Sequence, residues 1–124
     1  MTKPLELGRI VWVEMADVNG ITKVRPAVIV TASDNIHPDH PLEVVAITSR
    51  LQQPLPDDHI LLPWHPQGHP RTGLNRKCAA VCRWTARVAS SQIQDIAGVV
   101  RGKELLEILS KIADLPPQIT ADPP

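Results

Sequence analysis

The apolar positions of this chain fall in short runs rich in β-branched residues, separated by turn-forming polar segments. Residues 10–15 (IVWVEM) predict a strand, closed by the turn signal Asp17-Val18-Asn19-Gly20. In VRPAVIVTAS, residues Val28, Ile29 and Val30 form a continuous β-branched stretch, the pattern of a strand buried on both faces. Pro26 has no N–H to give a ladder and is expected at that strand's first position. Residues 34–42 are a polar, proline-containing loop, 43–49 (EVVAITS) predict a third strand, and 59–62 (HILL) a short fourth. PWHPQGHPRTGL is dense in Pro and Gly and predicts irregular backbone. Strand character returns over Lys77–Val88, where alternation sets Cys78, Ala80, Cys82 and Trp84 on one face.

The period then changes. Ser91–Ala97 predicts a short helix, and KELLEILSKIAD places Leu105, Ile108, Leu109 and Ile112 in one helical stripe that must pack on the sheet. Pro116-Pro117 ends that helix. Short strands closed by a helix predict a mainly β, α+β mini-barrel. There is no internal repeat; the expected organisation is one domain over residues 1–115 and a flexible proline-rich tail over 116–124.

Composition refines this picture. A chain of 124 residues buries an adequate core without disulfides or a structural metal. It contains no Phe and no Tyr, so Val, Ile, Leu and Ala must fill the interior around Trp12, Trp64 and Trp84. A sheet that stacks bases on several aromatic side chains is thereby excluded. The formal net charge is zero, which argues against a general polyanion binder. Its distribution is uneven, however: no acid occurs between Asp58 and Asp95, a window that holds Arg71, Arg76, Lys77, Arg83 and Arg87. That middle either focuses a positive field on a phosphate backbone or is a solvated surface of uneven charge. No apolar run is long enough to cross a membrane and no signal-peptide pattern opens the chain, so a cytoplasmic location with reduced Cys78 and Cys82 is expected. The spacing of His65, His69, Cys78 and Cys82 fits no zinc pattern, and neither metal nor cofactor is expected.

GRIVWVEM, a Gly-containing loop, VRPAVIV and then VVAITS together resemble the N-terminal half of MazF/PemK toxins. The similarity continues more weakly through TGL, the strand around Cys82 and the last helix, covering roughly residues 8–113. The ordered pair of Arg-Pro and Thr-Ser is its most specific part. The resemblance implies an antiparallel barrel like those of the SH3 and CcdB folds, a homodimer, a MazE-like antitoxin partner, and sequence-specific, metal-independent endonuclease activity on single-stranded messenger RNA. Relatives leave a 2′,3′-cyclic phosphate and a 5′-hydroxyl. Since the RNA's own 2′-OH attacks, the protein must hold the phosphate in line, stabilise added negative charge and manage two protons.

On that resemblance Arg25 and Thr48 match the catalytic arginine and threonine, with Ser49 beside them. A guanidinium grips two phosphate oxygens at once, and a strand-borne hydroxyl donates to one. Taken alone, Arg25 reads rather as a surface ion-pair partner and Thr48 as an ordinary strand end; their pairing is what points to the site. Trp64, His65, His69, Arg71, Arg76, Lys77 and Arg83 are the expected RNA-binding residues, although Trp64 would serve equally as a cap on the core. Trp12 and Trp84 are expected in the core or at a dimer interface. The chain departs from the family at several points: Arg9 stands where relatives often carry an acid, the loop Val18–Val24 is short, and Arg83-Trp84 and Ala86-Arg87 replace Asp-Gln and Arg-Thr. A carboxylate for proton transfer is thus missing, leaving Glu14 and Asp17 as candidates, together with His37, His40, His59, His65 and His69. Two alternatives remain open: a non-catalytic, degenerate toxin-like binding module, and a CcdB-like poison of a topoisomerase.

Overall fold

Six antiparallel strands and one helix make up the computed structural model, which describes residues 3–115. The strands are β1 (Arg9–Ala16), β2 (Thr22–Ile29), β3 (Leu42–Thr48), β4 (His59–Leu61), β5 (Ala79–Val88) and β6 (Ile93–Val99), and α1 spans Lys103–Asp114. They form one sheet in the order β4-β5-β3-β2-β1-β6. The mainly β fold with a closing helix is as the sequence predicts, but the hydrogen-bonded ladder runs from β4 to β6 without joining its ends.

The central strands are buried on both faces over Arg9–Val11, Ala27–Ile29 and Val44–Ile47, as the β-branched runs require. Ile10, Val28, Val45 and Ile47 contribute to a core on one face, which the fully buried Ile108 of α1 and Leu62 help to close. Val11, Val13, Ala27, Ile29, Val44 and Ala46 belong to a second core on the other face. The helical stripe packs as expected, with Leu105 and Ile112 against the first core and α1 lying across β4 and β5. Leu106, outside that stripe, is exposed.

Three local expectations are corrected. Ser91–Ala97 is not helical: Ser90–Gln92 form a single 3-10 turn, and β6 then pairs with β1. Ile93 and Ile96 sit at helical spacing, yet they lie opposite Val13 and Val11, two residues apart, because an irregularity in the ladder absorbs the extra residue. Both isoleucines therefore reach the second core. Pro26 is the fifth residue of β2 rather than its first. Finally, β5 does not alternate throughout. Ala80 pairs with Ile47 but Thr85 with Val45, so β5 carries three more residues than β3 between these points. An odd insertion reverses the faces: Ala80 and Cys82 stay in the first core while Trp84, Ala86 and Val88 join the second. The tail expected over 116–124 lies outside the described residues.

Between β4 and β5 the chain from Leu62 to Cys78 is irregular, as its Pro and Gly content predicts, yet it is firmly braced. The buried Thr72 hydroxyl donates to the Pro63 carbonyl (2.8 Å) and accepts from the Leu74 N–H (3.2 Å). The Val99 N–H donates to the Arg71 carbonyl, which ties the loop to β6. Gly98 permits this approach, because a Cβ there would overlap the carbonyl groups of Arg71 and Thr72. Gly98→Ala is expected to lower stability by about 1–3 kcal/mol, the usual penalty for overpacking. Chemical denaturation measures it, and a variant as stable as the parent would contradict the tight contact.

Candidate functional site

The site begins with a missing hydrogen. Along β2 successive residues face β1 and β3 in turn: the Ile29 carbonyl accepts from Gly8, ahead of β1, whereas the Val30 N–H donates to Glu43 on the β3 side. By this alternation Val28 and Pro26 also face β3. Pro26 has nothing to donate there, and the β2–β3 ladder covers just Ala27–Ile29 against Val44–Ala46. Pro26 keeps its place opposite Trp12 in the β1–β2 ladder, where its nitrogen is not called upon. Beyond Ala27 the two strands make no further ladder pair, and residues of both line a cleft of about 730 Å³.

Arg25 and Thr48 line this cleft, with Ser49 beside Thr48. The geometry follows from register. The last pair is Ala27 with Ala46, and Arg25 and Thr48 each lie two residues beyond it along their strands, so by alternation each shares that pair's face. The Thr48 hydroxyl accepts the Arg50 N–H at 3.1 Å, so its own hydrogen is left to donate elsewhere. Arg25 is held on several sides. Its Nε donates to the Met15 carbonyl (3.2 Å), its Nη2 lies 3.5 Å from Asp17 Oδ2, and its guanidinium carbon sits 4.9 Å from the Trp84 ring centroid.

The walls are cationic. Lys23, Arg25, Arg50 and Arg76 line the cleft against a single carboxylate, Asp17. Asp17 shapes the β1–β2 turn by accepting the N–H groups of Asn19 (2.9 Å) and Ile21 (3.0 Å). The Ile21 hydrogen bond above all, helped by that of Asn19 and by the charges of Arg25 and Lys23, holds its carboxyl below the usual aspartate value against a smaller opposing effect of desolvation. A carboxylate that resists protonation is a weak proton acceptor but a good anchor for a guanidinium.

Of the other expected RNA-binding residues, Arg76 lines the cleft, while Trp64, His65, His69, Arg71, Lys77 and Arg83 do not. His65 and His69 organise their own loop: Nδ1 of His65 accepts the Gln67 N–H, and Nδ1 of His69 accepts those of Arg71 and Thr72. Arg83 faces Asp58 (3.6 Å), and Arg87 faces Glu43 (3.6 Å), so part of the basic middle is answered by acids from elsewhere in the chain. His59 also lies against Asp58, and His37 and His40 meet edge to face; none of the three lines the cleft, nor does Glu14. Trp12 and Trp84, expected in the core or at an interface, both line it.

Lys23, Arg50 and Asn75 were not singled out by sequence. Their signal was adjacency alone: Arg50 follows Thr-Ser directly, and Asn75 follows TGL. Burial pushes the Cys82 thiol up to about 11 and the Cys78 thiol upward too, so neither is a ready thiolate nucleophile. Among the described residues no three His, Cys, Asp or Glu side chains gather into a metal-binding group, and no helix is long and apolar enough to cross a membrane.

The depressed Asp17 value sets a pH test. Its stabilising effect is fully present above the ordinary value of 3.8 and is lost as pH falls through the lower folded value. Asp17→Asn keeps an oxygen acceptor and removes the charge. The stability gap between parent and variant should be open near neutrality and close on acidification, as followed by denaturation at stepped pH. A gap that persists in strong acid would show that charge is not the cause.

Residues 6–115 match the family model described as PemK-like, MazF-like toxin of type II toxin-antitoxin system. Among solved structures, MazF (Form-I) from Deinococcus radiodurans aligns with a TM-score of 0.70 at 15% identity, over 90% of this chain and 96% of that one. MazE-MazF (Form-III) from the same organism gives 0.66 at 14% identity, over 88% and 92%. An endoribonuclease from a Mycobacterial species gives 0.63 at 16% identity, over 91% and 90%. At such identities these three likenesses concern the fold. No curated protein matches the sequence. The family match spans nearly all of the described chain, including both walls of the cleft, and this protein belongs to the PemK-like, MazF-like toxins of type II toxin–antitoxin systems.

Proposed function

We propose that this chain is an endoribonuclease that cuts single-stranded RNA at the cleft between β2 and β3. The observation that supports the proposal is that Arg25 and Thr48 line one cleft whose walls carry four cationic side chains. In this reading the scissile phosphate lies between them. The 2′-hydroxyl of the preceding ribose attacks phosphorus, the bond to the 5′-oxygen of the next nucleotide breaks, and the products are a 2′,3′-cyclic phosphate and a 5′-hydroxyl. Arg25 binds the non-bridging oxygens and stabilises the charge that builds on them, Thr48 donates one further hydrogen bond, and Ser49 extends the polar wall. Lys23, Arg50 and Arg76 guide the flanking backbone. Fixed guanidinium groups supply the charge stabilisation, so the reaction needs no metal. Sequence preference comes from the cleft walls, where Trp12 offers one indole for a base and Asn75 a donor–acceptor amide.

The family and the Mycobacterial endoribonuclease of similar fold support this reading. The MazE-MazF assemblies of Deinococcus radiodurans support an antitoxin partner, and an acidic antitoxin segment suits a cleft of this charge. We extend to this chain a homodimeric, cytoplasmic toxin.

A second reading, a non-catalytic binding module, is favoured by one observation: the lining residues include no histidine and a single carboxylate of weakened basicity. One assay separates the two. A long RNA is incubated with the protein in EDTA, beside Arg25→Ala and Thr48→Ala. Discrete cleavage that survives the chelator and falls roughly 100-fold or more in each variant is expected, as for loss of a donor to a developing oxyanion. Intact RNA with retained binding would establish the non-catalytic module, and capture of a topoisomerase instead would establish a CcdB-like poison.

A further inference from the structure

Trp84 reaches the cleft because β5 departs from strict alternation. Without the three extra residues between Ala80 and Thr85, the indole would share the face of Ala80 and Cys82. With them it turns to the opposite face and lies against the Arg25 guanidinium, 4.9 Å from ring centroid to guanidinium carbon. The ring is itself anchored, since its Nε1–H donates to the Ala16 carbonyl at 3.0 Å, at the end of β1. The same strand supplies the Met15 carbonyl to Arg25 Nε, and the following turn supplies Asp17 to Nη2.

We propose that Trp84 is the positioning residue of the site: its indole face, pinned to β1, holds the Arg25 guanidinium in the plane and depth at which it meets a bound phosphate. An arginine has several rotatable bonds, and each one left loose lowers the fraction of molecules aligned for reaction. Met15 and Asp17 contact the guanidinium at Nε and Nη2, and its carbon lies over the Trp84 ring. The contacts at Nε and Nη2 alone leave it able to swing out of plane, and the ring removes that freedom. Arg25 lies over one face of the Trp84 ring, whereas Trp12 is 38% exposed and is the indole left for a base.

The kinetic half of this proposal rests on the ribonuclease reading; the structural half does not. The test compares Trp84→Leu, which keeps apolar bulk without a π face, with Trp84→Phe, which keeps a π face without the N–H. In proton–nitrogen NMR of the RNA-free protein, the Arg25 Nε–H signal should be displaced by the ring current and slow to exchange. Phe should keep most of that displacement, and Leu should move the signal to the position of a solvated arginine. In RNA cleavage, Leu should lower kcat about tenfold while KM changes far less, and Phe should restore most of kcat. An Arg25 signal unaltered by Leu, or lost as fully with Phe as with Leu, overturns the positioning role. So does a Leu variant that raises KM and leaves kcat intact. A parent protein that cuts no RNA but shows the displaced signal refutes the ribonuclease reading and upholds the placement of Arg25. If Leu does not fold, the Phe variant decides through the same two measurements.

Discussion

A proline nitrogen carries no hydrogen, and the architecture of the site follows from that fact at position 26. Where Pro26 faces β3 the ladder ends, although β2 and β3 themselves extend further, to Thr22 and Thr48. Arg25 and Thr48, each two residues beyond the last pair, thereby come to line one cleft. Continued pairing would have closed the gap with backbone hydrogen bonds. The Arg-Pro dipeptide thus joins two roles, since the first residue supplies the charge and the second opens the sheet beside it.

The electrostatics of the cleft differ from what the order of charges along the chain suggests. The acid-free window gives Arg76 to the cleft, while Arg83 and Arg87 lie against Asp58 and Glu43. The remaining cleft cations, Lys23, Arg25 and Arg50, come from the acid-rich first half of the chain. Net charge near zero is therefore compatible with a strongly positive cleft. Folding gathers the cations on one side and lets distant carboxylates answer the others. Asp17 is the exception within the cleft, and its hydrogen bonds to the turn keep it ionised as a partner for Arg25.

Much of the fold was legible because β-branched runs and the stripe of α1 reflect local periodicity. Val28 to Val30 announced a strand buried on two faces, and Ile108 announced the inner side of the helix. What stayed hidden depends on neighbours in space. Ile93 and Ile96 imitate a helix because the ladder with β1 absorbs one residue, and no single-strand pattern carries that information. The insertion in β5 had the same origin, and it moved Trp84 from the face of the first core to that of the second, beside Arg25. Arg25, Thr48 and Ser49 were found through a motif and Arg76 through its charge. The histidines of the 62–78 loop drew notice for their chemistry, but their Nδ1 atoms serve the backbone around them.

The central claim is spatial, and one structure would test it: the protein bound to an oligonucleotide whose scissile nucleotide lacks the attacking 2′-hydroxyl. A phosphate touching both the Arg25 guanidinium and the Thr48 hydroxyl, with flanking backbone along Lys23, Arg50 and Arg76, is the predicted result. A strand lying along Arg71, Arg83 and Arg87 with the cleft empty would contradict it.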